Sequence, residues 1–256
     1  MEAVKQGSTT VGVKGRDFVV LVALTTASGS SVAMRKIIAI DEHLGISIYG
    51  ISENARELNR YLRLSCINYR YTYETGCPVK RLIGSLGYNM QATIKRCDGR
   101  PYQVGLLVAG YDKTGPHLYQ VMTSGVINKC QAQSIGEHSQ GARTYLERNI
   151  NTFLSCSDDQ LICHALLGLQ NSQPVEGTSS GQENAPALFT TTVAIVGKDQ
   201  LFKLLTVEEV KKYIEMAKEM GATAQTQPPS NPDDEGNNGD NEDDADPQPD
   251  VATMEN

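Results

Sequence analysis

Two kinds of residue pattern are missing from this chain of 256 residues. No apolar run approaches the ~18 residues that a helix needs to cross a bilayer, so we expect no membrane span. None of the six cysteines forms a C-x-x-C pair, and none of the four histidines lies at ligand spacing from them. We therefore expect no zinc site and no cofactor. Scattered free thiols are typical of a reducing compartment, and we expect a protein of the cytoplasm and nucleus.

The chain also has no Lys or Arg after Lys218. Between Asp233 and Glu255 the chain carries ten acidic residues, and removing them from a net charge of −7 leaves +3. The rest of the chain is thus close to neutral and shows no bias towards nucleic acid or membrane. The tail is too polar to repay the entropy of ordering. We predict a folded domain over residues 1–219 and a disordered acidic tail over 220–256.

The apolar pattern alternates between strand-like and helix-like segments. Its order predicts four strands, two helices, about four strands, two helices, two strands and a last helix. Short β-branched runs with tight turns, such as Phe18–Leu24, favour antiparallel sheets. The first helix, starting at Ser52, is predicted to bury a stripe that includes Leu62 and Ile67. Two antiparallel sheets face to face, with helix pairs on both outer faces, accommodate this order. We predict an α/β fold, a single four-layer α/β/β/α sandwich.

Four stretches of the chain match a known family in order and spacing. They are MEAVKQGSTTVGVK, Arg100-Pro101-Tyr102 running into GLLVAGYDKTGPHLYQ, SIGEHSQGARTYLER, and VAIVGKD. Together they resemble the α-type subunits of the 20S proteasome, over residues 1 to about 219. The stretch Ser139–Arg148 is most like one particular α subtype. The resemblance implies the sandwich fold of N-terminal-nucleophile hydrolases, which agrees with the architecture expected from the apolar pattern.

The resemblance implies a non-catalytic structural subunit of the outer α ring of the 20S core particle. Such a subunit supports assembly, docking of regulators and entry of substrate in ubiquitin-dependent protein degradation. The implied partners are other α subunits in a seven-membered ring, β subunits, and the C-terminal tails of a regulatory particle or activator. Neither nucleic acid nor a membrane is expected as a partner. The family's N-terminal gate segment is missing before Met1, and we expect a misassigned start, with a genuinely short form as the alternative.

Ser8 stands at the position where catalytic relatives place their nucleophile. Those relatives free the amine of a terminal threonine by cleaving a propeptide, and that amine serves as the base. In this chain a serine follows seven residues that match the family's helix instead. Thr9 and Thr10 are interpreted as ordinary strand residues.

The residues that would support catalysis are also replaced. Catalytic relatives have an aspartate where this chain has Leu24 and Thr25, and a serine where it has Glu137. Only the lysine of the set is kept, as Lys36. One member of a set that works as a unit does not make a catalyst, so we predict no catalytic residue. The alternative is a processed, active threonine or serine hydrolase of the same fold.

A binding site is implied by the same resemblance. In the family, the lysine matching Lys36 lines a pocket between adjacent α subunits and binds the C-terminal carboxylate of an activator tail. The positions matching Gly7 and Ile51 lie nearby. An ammonium facing a carboxylate in a partly desolvated cleft forms a charge-assisted hydrogen bond. Gly7 would leave room for the tail's backbone, and Ile51 would supply an apolar wall. A solvated lysine at a strand start is the alternative.

Other polar residues receive structural interpretations. Asp41 and its neighbour Glu42 are predicted to form a solvated hairpin turn. Asp112 is predicted to shape a turn through its side chain. His117 and His164 are interpreted as packing residues rather than ligands.

Overall fold

The computed structural model describes residues 7–26, 35–50, 52–96, 100–172 and 189–224. Within these ranges the chain forms ten strands and five helices. The strands are β1 (Thr10–Lys14), β2 (Phe18–Thr26), β3 (Ile37–Asp41), β4 (Leu44–Gly50), β5 (Val104–Asp112), β6 (Gly115–Val121), β7 (Ile127–Lys129), β8 (Ala132–Ile135), β9 (Phe189–Gly197) and β10 (Gln200–Leu204). The helices are α1 (Ser52–Tyr73), α2 (Val79–Lys95), α3 (Ser139–Arg148), α4 (Asp158–Gln170) and α5 (Val207–Ala224).

The strands form two antiparallel sheets of five strands each. Sheet A has the order β10-β9-β2-β1-β8, and sheet B has the order β3-β4-β5-β6-β7. Sheet B pairs each strand with its successor in the chain. Sheet A instead joins the first two strands to β8 on one side and β9 on the other. Short hydrophobic strands with tight turns thus give the two antiparallel sheets expected from the sequence.

Three apolar clusters hold four layers together. In β2, residues such as Leu21 face sheet B, while alternate residues such as Val20 face a helical layer. Both sides of the strand are buried, which explains its nearly continuous apolar run. A second cluster packs sheet B residues such as Leu106 against helical residues such as Leu86. The layers are therefore helices, sheet, sheet, helices, and the predicted α/β/β/α sandwich is confirmed.

The two helical layers contain different numbers of helices. Helices α1 and α2 cover sheet B, whereas α3, α4 and α5 cover sheet A, so the prediction of a helix pair on each side was wrong for sheet A. Helix α5 continues to Ala224, past the boundary at residue 219 predicted for the folded domain. Residues 225–256 lie outside the described ranges, so the disordered tail remains a prediction.

Two local predictions failed for physical reasons. Ile67 is 62% exposed, and Cys66 is buried in its place. The buried positions Ala55, Leu58, Leu62 and Cys66 are three or four residues apart, and Ile67 falls outside that helical period. Strand β8 has the polar sequence AQSI and was not individually predicted. It forms by pairing with β1, a contact that its own composition does not indicate.

Candidate functional site

The segment that leads into β1 is fixed by hydrogen bonds from two distant parts of the chain. The carbonyl oxygen of Gly7 accepts a bond of 2.8 Å from the backbone N–H of Glu137, in the loop between β8 and α3. The hydroxyl of Ser8 donates to the carbonyl oxygen of Leu24, at 2.6 Å. The hydroxyl of Thr9 donates to the carbonyl oxygen of Glu137. Ser8 therefore sits in an ordered backbone frame.

Gly136 allows the loop after β8 to approach this segment. Its φ angle is +123°, a conformation that favours glycine. An added Cβ would lie 2.7 Å from the carbonyl oxygen of Gly7 and 2.7 Å from the Cα of Thr9. Both are backbone atoms and cannot move aside cheaply. The glycine is thus required for the contact between the β8–α3 loop and Gly7.

Lys36 reaches the same segment from the start of β3. Its Nζ donates a hydrogen bond of 2.9 Å to the carbonyl oxygen of Ser8. Its own carbonyl oxygen accepts from the N–H of Ile48, at 2.9 Å, which ties the backbone to β4. The side chain is partly buried, and burial lowers the pKa of Lys36 to about 8. An ammonium group is disfavoured where water is excluded, because its hydration is lost.

Gly7 precedes Ser8 and lies against the end of β4. A Cβ added to Gly7 would lie 3.5 Å from the backbone nitrogen of Gly50 and 4.0 Å from the Cβ of Tyr49. The structure therefore brings together Lys36, the Gly7–Ser8 segment and the end of β4. Ile51 follows Gly50 in the sequence but lies outside the described residues, so its role in the pocket remains a prediction.

The arrangement around Ser8 does not support nucleophilic catalysis. A nucleophilic hydroxyl needs a base to take its proton. The Ser8 hydroxyl instead donates to the Leu24 carbonyl, and the Lys36 ammonium donates to the Ser8 carbonyl rather than to the hydroxyl. Glu137 contributes its backbone, while its exposed side chain lies 3.6 Å from His138. Among the described residues, these groups form a structural hydrogen-bond network.

The structure corrects the prediction for Asp41. The Asp41 side chain is only 11% exposed and pairs with Arg70 of α1 at 2.5 Å. It also accepts from the N–H of Glu42, at 2.8 Å, and lies 3.6 Å from His43. Asp41 therefore joins the β3–β4 turn to α1, whereas Glu42 is exposed as predicted. The sequence pattern missed this because Arg70 lies in a different element.

The turn prediction for Asp112 is confirmed, and a second role was missed. One carboxylate oxygen accepts from the N–H of Thr114, at 2.8 Å, and bonds to Nε2 of the buried His117, at 2.9 Å. The other oxygen accepts from the N–H of Val79, at 3.2 Å. Helix α2 begins after Pro78, which offers no side-chain cap, so Asp112 supplies the cap from the β5–β6 turn.

His164 is confirmed as a packing residue. Its ring packs edge-on against the buried Phe153, with 5.6 Å between centroids, and its Nδ1 lies 2.9 Å from the hydroxyl of Tyr145. Burial lowers the pKa of His164, which favours the neutral ring. In the described part of the chain, no group of three or more His, Cys, Asp or Glu side chains is arranged to hold a metal ion.

Comparison with known proteins identifies the family of this chain. A family model described as "Proteasome subunit" matches residues 4–184. The chain is 51% identical to "Proteasome subunit alpha type-1" of Drosophila melanogaster over 222 residues, which are 86% of this chain and 77% of that protein. It is 44% identical to the protein of the same name from Trypanosoma brucei rhodesiense over 216 residues, 84% of this chain and 79% of that protein. It is 39% identical to "Proteasome subunit alpha type-6" of Saccharomyces cerevisiae over 217 residues, 84% and 89% of the two chains.

The chain belongs to the proteasome subunit family. Its relatives carry α-type names, and it is a non-catalytic α-type member, in agreement with the bonded Ser8 hydroxyl. Alpha type-1, the name of the first two relatives, is also the subtype that the Ser139–Arg148 stretch resembles. Like other proteasome subunits, it assembles with further subunits into the proteasome. Among its described residues, no helix is both long and apolar enough to cross a membrane.

Proposed function

We propose that this chain occupies one position in a seven-membered outer α ring, where it contacts neighbouring α subunits and the β subunits. It supports assembly and the entry of substrate in ubiquitin-dependent protein degradation, in the cytoplasm and nucleus. The proposal rests on the hydrogen bonds of Ser8. Its hydroxyl donates to the Leu24 carbonyl and its carbonyl accepts from Lys36, so both groups are engaged in structural bonds. The residue at the nucleophile position thus has a structural role in this chain.

The proposed regulatory contact is a pocket formed by Lys36, Gly7 and Ile51 that receives the C-terminal tail of an activator. The position of Lys36 supports this function, because its partly buried ammonium donates to a neutral carbonyl, which a tail carboxylate would replace as the acceptor. A charge-assisted bond to a carboxylate is stronger than a bond to a neutral carbonyl. Gly7 lies next to Ser8 with no side chain to obstruct an approaching backbone.

A tail peptide with a photoreactive group tests this pocket in assembled particles. We expect cross-linking to this subunit with the free carboxylate peptide and much less with the same peptide amidated at its C-terminus. Lys36→Ala should remove that difference, lowering affinity about 10- to 150-fold at this pocket if the bond contributes about 1.5–3 kcal/mol. Lys113→Ala, in the exposed β5–β6 turn, is the matched control and should keep the difference. Equal cross-linking by the wild type and Lys36→Ala would show that this pocket is idle.

The catalytic alternative has its own test. An intact-mass measurement on the endogenous subunit from purified particles should give a chain that retains residues before Ser8. A mature chain beginning at Ser8 or Thr9 would contradict a non-catalytic subunit, because only that cleavage frees the amine such a nucleophile requires.

A further inference from the structure

One side of α1 carries a row of arginines. Their spacing of three, four or seven residues places them on the same side of the helix. All are exposed, and the row is about 21 Å long because a helix rises about 1.5 Å per residue. The row, called the basic stripe below, consists of Arg56, Arg60, Arg63 and Arg70.

Most of the charge on the basic stripe is not compensated by the described part of the chain. Arg70 pairs with Asp41, whereas Arg63 donates to the neutral carbonyl oxygen of Ala39, at 2.8 Å. Among the described side chains, no carboxylate lies within ion-pair distance of the other three arginines of the stripe. Guanidinium groups bind carboxylates through charge-assisted and often bidentate hydrogen bonds. The stripe is therefore suited to an acidic segment.

A groove of about 310 Å³ lies at the second half of the stripe. Arg63 and Arg70 line it together with the exposed side chains of Ile67 and Tyr71. The groove thus combines positive charge with apolar surface. Its composition fits a segment in which carboxylates are followed by apolar side chains.

The tail of the same chain contains such a segment. Residues Asp240–Asp246 have the sequence DNEDDAD, with five acidic residues among seven and no basic ones. Seven extended residues span about 23 Å, close to the length of the stripe. Val251 and Met254 follow after a few more residues and match the apolar surface of the groove. Charge, length and order all agree with the stripe and its groove.

The tail can reach α1 from its starting point. Residues 225–239 connect Ala224, at the end of α5, to the acidic segment and can span about 50 Å. Four layers of about 10 Å each give a sandwich roughly 40 Å thick. Helix α5 itself is a poorer partner, because it carries four acidic and three basic residues. The charges therefore favour α1 over the nearer helix.

We propose that Asp240–Asp246 docks along the basic stripe of its own chain before the subunit assembles, with Val251 and Met254 in the groove. The docked tail covers charged and apolar surface that is otherwise open to unwanted partners. One consequence rests on the proposed function in the ring. A neighbouring subunit that contacts this face of α1 must displace the tail as the ring forms.

The test uses the full-length free chain and phenylglyoxal, a reagent that modifies accessible arginines. Mass spectrometry follows the modification of each arginine of the stripe, with the exposed Arg148 of α3 as internal control. One variant replaces the five acidic residues of Asp240–Asp246 by their amides, and a matched variant does the same to the other five acidic residues of the tail. Those five are Asp233, Asp234, Glu235, Asp250 and Glu255.

We expect modification of Arg56, Arg60 and Arg63 to rise at least about threefold in the first variant, because a tethered segment acts at a high effective concentration. The matched variant should behave as the wild type. Sodium chloride at about 1 M should also remove the protection, since it screens exposed charges. Equal modification in the wild type and the first variant would overturn the proposal. An equal rise in both variants would also overturn it, because the protection would then not belong to Asp240–Asp246.

Cross-linking decides which chain supplies the tail. Arg60→Lys keeps the charge and introduces an amine that a carbodiimide can join to tail carboxylates, and Arg148→Lys is the matched control. In a mixture of isotope-labelled and unlabelled chains, we expect at least about fivefold more tail links at Arg60→Lys than at the control, within chains of one label. Links between differently labelled chains would identify a second copy as the partner and contradict docking within the chain. Both measurements use the free chain, so their failure leaves the proposed ring position intact, and a chain absent from rings leaves the docking intact.

Discussion

The two helical layers bury similar apolar faces but present different outer surfaces. Helices α1 and α2 together contain seven basic and two acidic residues, whereas α3, α4 and α5 contain five basic and seven acidic ones. The first layer also exposes more large apolar side chains. On α1 and α2 these are Leu64, Ile67, Tyr71, Tyr73, Tyr88 and Ile94, and on the helices of the other layer they are Val207 and Met216.

The aromatic side chains of the α1–α2 layer are organised around arginines. The guanidinium of Arg81 lies 5.1 Å from the ring centroid of Tyr69 and 5.5 Å from that of Tyr73. A groove of about 310 Å³ on α1 includes Ile67, Arg70 and Tyr71 in its lining. Tyrosine and arginine are enriched at protein interfaces. Burial thus fixes the inner faces of both layers alike, while the composition of the outer face of α1–α2 suits it to contact another subunit.

The largest expected effect concerns the inner faces, where the layers should behave alike. Leu86 of α2 and Leu166 of α4 are both buried. Leu86→Ala and Leu166→Ala should each lower the free energy of unfolding by about 2–5 kcal/mol, through lost burial and a residual cavity. Urea denaturation of the chain measures both. A loss well below this range in one layer alone would show that its inner face is packed more loosely than that of the other layer.

The second effect concerns the outer faces, where the layers should differ. Tyr71 is 90% exposed, so Tyr71→Asp should change the stability of the chain by no more than about 0.5 kcal/mol. If this outer face contacts another subunit, incorporation of Tyr71→Asp into particles should fall about thirtyfold, since losing a central interface tyrosine costs about 2 kcal/mol. Met216→Asp, on the outer face of α5, is the control and should incorporate normally. Competition between tagged wild-type and variant chains in cells measures incorporation. Equal incorporation of Tyr71→Asp would contradict a subunit contact at the outer face of α1–α2.

The third effect concerns the start of α2. Asp112→Ala should destabilise the chain by about 1–2 kcal/mol, because α2 loses its cap and His117 its partner. Burial opposes ionisation of Asp112, but hydrogen bonds from Thr114 and His117 outweigh it and lower the pKa of Asp112 below its usual 3.8. The ionised group therefore stabilises the fold above about pH 4, and this contribution is lost as the pH falls through the lowered pKa.

Measurement of unfolding as a function of pH tests this. The stability difference between wild type and Asp112→Ala should be constant above about pH 5 and shrink below about pH 4. Asp17→Ala, in the exposed β1–β2 turn, should show no comparable loss. A difference that does not depend on pH in this range would contradict a role for the ionised carboxylate.

The smallest effect concerns the start of α4 in the other layer. Here the cap is local: the Ser157 hydroxyl accepts from the N–H of Gln160, and the Gln160 side chain accepts from the N–H of Ser157. Ser157→Ala should cost about 1 kcal/mol, measured by thermal unfolding, with no pH dependence near pH 4 since no carboxylate is involved. Ser155→Ala, two residues earlier, is the matched control. A loss as large as that of Asp112→Ala would remove the distinction between the two kinds of cap.

The parts that were predicted correctly depend on local patterns. Phe18–Leu24 is a short β-branched apolar run, and β2 spans Phe18–Thr26; the first helix was predicted to start at Ser52, where α1 begins. The missed features depend on contacts between distant segments. The pairing of β8 with β1 and the cap from Asp112 to Val79 join elements far apart in the chain.

The candidate site also has one part that the sequence could indicate and one part that it could not. The family resemblance implied Lys36 and Gly7, and the structure bonds Lys36 to Ser8, the residue after Gly7, while their role in a pocket stays a prediction. No local pattern indicated that Lys36 would bond to the carbonyl of Ser8, because the two residues meet only when the sheets pack together. The same holds for Gly136, whose positive φ is visible only once the loop after β8 approaches Gly7.

The different strand orders of the two sheets have a consequence for the time course of folding. Sheet B takes its strands from residues 37–129, and each pairs with its successor, so ribosomal synthesis completes this half early. In sheet A, Phe18 lies opposite Gly197. The β2 edge of the β1–β2 hairpin therefore stays unpaired until β9 has emerged, and such long-range pairing is slow and exposed to aggregation. Gly7 and Ser8, which lead into that hairpin, take their contacts from Leu24, Lys36, Gly50 and Glu137, so their surroundings can form as soon as the loop after β8 has emerged.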